Sequence, residues 1–162
     1  MGQNGTLAAS DARAIVTELV YRSCLALDAM DFTGFLALCD EKFHYLITAF
    51  SPEIRKEMTW LEHDNAGMQL LFKNLPKHNS DRSLLSRHAT VYTINFADDD
   101  TSAEVTTGLQ VYRTTLDGGA TELFAVGKMV DNIVLRPEGP LLLDRHIKLD
   151  TRMFGIGFHI PF

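Results

Sequence analysis

The sequence predicts an α+β fold: a curved antiparallel sheet packed on N-terminal helices to make a cone. Three observations carry this. Four alternating strand runs, Ser86–Phe96, Thr101–Thr115, Ala120–Arg136 and Pro140–Thr151, follow one another with only short turns between them. These runs are about 11 to 17 residues long, against the ~5–6 usual for strands, and strands of that length twist and coil. Helical periodicity is concentrated in the first half, whose amphipathic stretches can fill the concave face of such a sheet.

The elements follow in chain order. Residues 1–9 are small and polar without periodicity and are expected to be a disordered tail, which leaves 10–162 as a single domain. Ser10 can cap a helix, because its hydroxyl can accept a first-turn amide. Val16, Val20, Cys24 and Leu27 recur at helical spacing to about Ala29, alongside Ile15 and Leu19. Asp31 can cap a short second helix that turns Phe35 and Leu38 inward. Phe43–Phe50 is aromatic and β-branched, as a strand requires. Ser51-Pro52 breaks regular structure, and Glu53–Trp60 fits neither period. Asp64 can cap a third helix with an apolar stripe of Met68, Leu71, Phe72 and Leu75, closed by Pro76. The strand runs are then separated by Asp98-Asp99-Asp100, Asp117-Gly118-Gly119 and Pro137-Glu138-Gly139. Gly108 and Gly127 fall inside strands, where glycine marks a bulge or a bend.

The totals narrow the function. The 162 residues suit one domain with a sizeable core. There are 15 basic against 21 acidic residues, a net charge of −6. This balance disfavours nucleic acid and anionic membrane as main partners, since both need clustered Lys and Arg. No stretch approaches the ~20 apolar residues of a membrane span, and no secretory signal is visible. Cys24 and Cys39, the two cysteines, lie in apolar segments and not in a C-x-x-C, which reads as buried thiols in a reducing, cytoplasmic compartment.

No complete catalytic motif appears. The six histidines form neither H-x-x-x-H nor H-E-x-x-H, and a metal site needs three convergent ligands. His63-Asp64 resembles the adjacent pair of metal-dependent phosphohydrolases but lacks the accompanying ligands, and Asp64 is equally explained as a helix cap. His88, on an alternating strand, could project into the cone as a general base or lie at a subunit contact. Tyr45, with Trp60 and Asp64, could line a cavity mouth, as tyrosine and tryptophan also do in cores. His146 shares a polar strand face with Asp144, Lys148 and Asp150. If the chain is a stand-alone dehydratase, isomerase or cyclase, Tyr45, His63, Asp64 and His88 are the candidate acid–base groups. The apolar end, Met153–Phe162, must fold over its own core or pack on another subunit. The subunit contact is the expectation, because the core looks complete without it.

The order of elements resembles the nuclear-transport-factor-2-like, or cystatin-like, cone. The final hairpin is more specific. Gly127 and Asp131, then Arg145, Leu149 and Asp150, match the Gly-x-x-x-Asp strand and closing Arg-x-x-x-Leu-Asp of the small (β) subunits of Rieske ring-hydroxylating oxygenases. The segments Met58–Asp64, Leu75–Asp81 and Gly118–Gly127 are similar to methanesulfonate-hydroxylating members of that family, with an aromatic-ring dioxygenase the open alternative. The resemblance implies a non-catalytic subunit with no catalytic, cofactor or metal residues of its own. It implies a homotrimer of β subunits joined to α subunits as α3β3. The Rieske [2Fe-2S] cluster and mononuclear iron would sit in the α subunit, which hydroxylates an aromatic compound or methanesulfonate. With two cysteines and no C-x-H…C-x-x-H, this chain cannot ligate such a cluster alone.

Overall fold

The computed structural model describes residues 9–154 and 161–162. Val16, Leu19, Val20, Ser23, Cys24 and Leu27 fall on one buried face of the first helix, α1 (Ala9–Asp28). Ser10 lies within the first turn of α1 and not before it. The helix stops where Met30 takes a left-handed conformation (φ 55°) and the Asp31 amide returns to the Ala26 carbonyl. Asp31 then starts α2 (Phe32–Ala37) as predicted, its carboxylate accepting the Gly34 amide at 2.9 Å. Phe35 from this short helix is fully buried, edge-on to Phe43 and Phe72.

Six strands follow in one sheet: β1 (Cys39–Ser51), β2 (Lys56–Asp64), β3 (Leu84–Phe96), β4 (Ser102–Thr114), β5 (Thr121–Arg136) and β6 (Gly139–Leu149). Their order is β2-β1-β6-β5-β4-β3. The sheet is curved and mixed, because β1 and β6 pair in parallel while every other junction is antiparallel. An all-antiparallel sheet was the sequence expectation. The parallel junction arises because the last strand of the meander closes against a strand laid down about a hundred residues earlier. Glu53–Trp60, which showed no clear period, supplies most of β2. As an edge strand with little burial, it has little hydrophobic alternation to display.

The third helix, α3 (Asn65–His78), begins at Asp64, which accepts the Gly67 amide at 2.8 Å. It buries Met68, Phe72 and Leu75. It also runs past Pro76 to His78, whereas the sequence placed its end at the proline. Bulges lie at Val91/Thr93, Val111/Tyr112 and Asn132/Ile133, not at the two strand glycines. Gly108 instead lies under the Tyr92 ring, and Gly127 under the backbone of Lys148 and Leu149. Close approach, not a bend, is what these positions need.

The core lies between helices and sheet. Phe43, Tyr45, Ile47 and Ala49 of β1 face it, with Val105, Leu109 and Val111 of β4, Met129 and Ile133 of β5, and Ile147 and Leu149 of β6. The chain end differs from expectation. Pro161 and Phe162 are buried in the chain's own core and not left for a neighbouring subunit, while Met153 is exposed. The residues between Phe154 and Pro161 lie outside those described, as do residues 1–8 of the expected tail.

Candidate functional site

An inward sheet face should be apolar, so the polar residues that interrupt this one mark the candidate site. Asp131 and Arg145 are directly opposed on β5 and β6 and are wholly buried. The guanidinium grips the carboxylate through both its edges: Nε donates to Oδ1 at 2.8 Å and Nη2 to Oδ2 at 2.9 Å. Nη2 also donates to the Ser23 hydroxyl of α1 at 2.7 Å, and that hydroxyl donates onward to the Val20 carbonyl at 2.6 Å. Burial opposes the Arg145 charge, but Asp131 outweighs it and holds the guanidinium above its ordinary pKa.

A second pair lies on β3. Arg87 donates from Nη1 to Asp28 Oδ1 at 2.6 Å and from Nη2 to the Pro161 carbonyl at 2.7 Å. Its backbone amide donates to the same Asp28 carboxylate. Tyr45, beside Arg145 across the parallel junction, donates its hydroxyl to the Phe162 carbonyl at 2.7 Å. Burial pushes the Tyr45 hydroxyl up in pKa, against the pull of Arg145 and Arg87. Burial likewise raises Cys24 and pushes Cys39 up to about 12.

This interior is poorly suited to acid–base work. Both carboxylates are committed to arginines, and the buried tyrosine and thiols are held protonated at neutral pH. An iron–sulfur cluster needs four Cys or His ligands. Among the described residues no three His, Cys, Asp or Glu side chains converge, and the Cys39 thiol donates to the Phe35 carbonyl. These residues do not fit such a group.

Of the sequence candidates, Tyr45 is inside the cone. Asp64 is the cap of α3, partly exposed His63 abuts Gly67 at the start of that helix, and His88 is exposed, 3.3 Å from the Ser86 hydroxyl and edge-on to Tyr112. They do not converge. Trp60 is largely exposed, its ring edge-on to Phe154. Asp64→Ala is therefore expected to cost about 1 kcal/mol of stability, the usual worth of an N-cap. It should leave any activity of the assembled protein unchanged, which thermal melts and turnover assays check separately.

Sequence reasoning missed Arg87, Ser23 and Asp28 as site residues. It quoted Asp131 and Arg145 only as parts of a pattern. Period-two alternation could have found both, since Asp131 shares a face with Met129 and Ile133, and Arg145 with Ile147 and Leu149.

The outward face carries a polar group of its own. His44 Nε2 is 2.9 Å from Glu62, with Asp144 nearby, and His146 Nε2 is 2.7 Å from the Thr48 hydroxyl and 3.5 Å from Glu57. Burial, then Lys148, lowers the pKa of His146 below its ordinary 6.5. The folded state thus binds fewer protons here than the unfolded state. Its contribution is fully present above pH 6.5 and is lost as pH falls from there through the folded value. His146→Gln should flatten the acid limb of a stability–pH curve below pH 6.5 and leave the neutral plateau's slope unaltered.

Comparison with known proteins agrees with this geometry. Residues 8–145 match the family model described as a SnoaL-like domain. The chain is 36% identical over 160 residues to the methanesulfonate monooxygenase hydroxylase subunit beta of Methylosulfonomonas methylovora, covering 94% of this chain and 88% of that one. It is 31% identical over 146 residues to the 2-aminobenzenesulfonate 2,3-dioxygenase subunit beta of an Alcaligenes species, covering 90% and 96%. Among solved structures, a β subunit assigned to an aromatic-ring-hydroxylating dioxygenase of Novosphingobium aromaticivorans superposes with a TM-score of 0.82. It is 17% identical and covers 95% of this chain and 99% of that one.

Proposed function

We propose that this chain, which belongs to the SnoaL-like domain family and within it to the β subunits of multicomponent oxygenases, is the non-catalytic small subunit of a Rieske non-haem iron oxygenase. Its work is to assemble and stabilise α subunits that carry the [2Fe-2S] cluster and the mononuclear iron. The identity to two oxygenase β subunits over nearly the whole chain is the observation that carries this reading. The interior chemistry is consistent with it, because its acids are tied to arginines and unavailable as proton carriers.

The stoichiometry proposed is a β homotrimer within an α3β3 hexamer in the cytoplasm, with residues 10–162 acting as one folding unit. No helix among the described residues is long and apolar enough to cross a membrane. Both relatives are named for oxidation of a sulfonate, methanesulfonate in one and 2-aminobenzenesulfonate in the other. A sulfonate is therefore the substrate class proposed for the assembled enzyme.

Co-expression with a Rieske-type α subunit from the same genome, followed by size-exclusion chromatography with light scattering, tests the role. The chain alone should elute as a trimer and turn over no sulfonate. With α it should co-elute as a hexamer, and hydroxylation should require both. A monomer that ignores α, or turnover by the chain alone, would sink the proposal.

A further inference from the structure

Two cavities open beside α3, with the buried Leu75 as their common wall. One, of about 300 Å³, is lined by Met30, Phe32, Leu75 and Pro76, with Arg82 and Ser83 among its polar residues. The other, of about 340 Å³, is lined by Leu71, Asn74, Leu75 and His78. Large apolar side chains around them stand in water. Met30, Leu70 and Leu84 are 56%, 60% and 61% exposed. Phe32 of α2 is half-buried, its ring stacked on that of Phe72 with centroids 4.4 Å apart. Met30 is doubly unfavourable in the free chain. Its φ of 55° is the left-handed conformation that glycine or asparagine takes with least strain at a helix end. A methionine there accepts the strain and exposes a long apolar side chain as well. Contact with a partner would offset the exposure.

The same face is basic on an acidic chain. From Asn65 to Leu84 the basic residues are Lys73, Lys77 and Arg82 and the one acid is Asp81, although the whole chain carries −6. Asp81 is already committed, to Arg113 at 3.0 Å and to the Ser83 amide at 2.9 Å. Lys73, Lys77 and Arg82 are exposed, and among the described residues none of them has an ion-pair partner. The helix dipole accounts for Lys77, in the last turn of α3, but not for Lys73 before that turn nor for Arg82 beyond the helix. An isologous contact between two copies would set these cations against one another, so the face does not pair with itself. It suits a partner that brings carboxylates and large apolar side chains together.

We propose that this grooved face docks the α subunit, through an acidic segment of α whose apolar side chains fill the two cavities. This rests on the reading of the chain as a β subunit and adds to it the surface by which β holds α. The apolar side chains pack against Met30, Phe32, Leu75 and Pro76. Asp or Glu residues flanking them pair with Lys73, Lys77 and Arg82 at the rim. Docking takes Met30 out of water and gives three cations the counter-ions that their own surroundings do not supply.

The test uses the full chain and the Rieske-type α subunit of the same genome, mixed and followed by size-exclusion chromatography with light scattering. Lys73→Glu with Lys77→Glu and Arg82→Glu reverses three exposed charges. On its own this variant should melt and elute as the unaltered chain does. It should need at least about tenfold more chain to carry half of α into the complex peak. Met30→Asn should melt no lower than the unaltered chain, because asparagine takes the left-handed conformation more readily. It should still need about tenfold more chain to capture α, the loss expected for one buried apolar anchor. Lys128→Glu with Lys148→Glu, exposed and opposite each other on β5 and β6, should leave capture as it was. Capture that either face variant leaves unaltered, or that this control loses equally, overturns the docking site while the β-subunit reading stands. An altered elution of the triple variant alone means that a second copy occupies the face, and overturns the docking site too. If the charge reversals lower the melting temperature, Met30→Asn decides alone. If the unaltered chain captures no α, the β-subunit reading fails and the docking site with it.

Discussion

Arg145→Met will destabilise the chain by about 3–5 kcal/mol, the cost of leaving a buried charge without its partner. Asp131 is wholly buried and both of its oxygens accept from Arg145, so the variant strands a carboxylate in the core. Ser23 loses its donor in the same step. The pair itself is a poor source of net stability, because desolvating two charges offsets most of their attraction. The double variant Arg145→Met with Asp131→Leu should therefore be much closer to the unaltered chain than Arg145→Met alone. Urea denaturation at fixed protein concentration measures all of these, the concentration being held because assembly shifts apparent stability. If the single and double variants fall equally, the ion pair is not what the hairpin depends on.

That outcome bears on what the closing pattern of the sequence means. Gly127 and Asp131 on one strand, with Arg145 and Leu149 on the next, are two cross-strand pairs: Asp131 stands opposite Arg145 and Gly127 opposite Leu149. In this chain the closing pattern is thus a clasp between β5 and β6.

How far the sequence foretold the rest depended on whether a residue's surroundings are local. The four long strands agree with their predicted spans to within about two residues at most ends, because period-two alternation and turn residues are local signals. The Asp31 and Asp64 caps were legible for the same reason, each carboxylate reaching an amide three residues on. The parallel β1–β6 junction was not, since nothing near Tyr45 names Arg145 as its neighbour. The site failed in the same way. Ser23, Asp28, Arg87 and Phe162 come together only after the sheet has curled over α1, and histidines drew attention while arginines supplied the polar interior. The buried end was misjudged because counting apolar segments cannot reveal that the core had room for one more ring.

Gly127→Val should cost roughly 3 kcal/mol or more, at or beyond the usual upper range for overpacking. A Cβ at this position would run into the Lys148 carbonyl oxygen and come within 2.9 Å of the Leu149 Cα. These are backbone atoms of the paired strand, so no side-chain rotation relieves the clash. The neighbouring bonds also resist yielding: Asp150 donates to the Val126 carbonyl at 2.8 Å, and the Val126 amide donates to the Thr151 hydroxyl at 2.9 Å. With β5 and β6 held on that side, the strands must part on the side that leads to Asp131 and Arg145. Gly108 supplies the control. A Cβ there meets the ring of Tyr92, an exposed side chain that can swing outward, so Gly108→Ala should cost no more than about 1 kcal/mol. Hydrogen exchange separates the two: Gly127→Val should speed exchange at β5 and β6 amides, while Gly108→Ala should leave them near their original rates. Equal losses at both glycines, or unaltered exchange in the Gly127 variant, would mean that the β5–β6 clasp tolerates a side chain where its geometry forbids one.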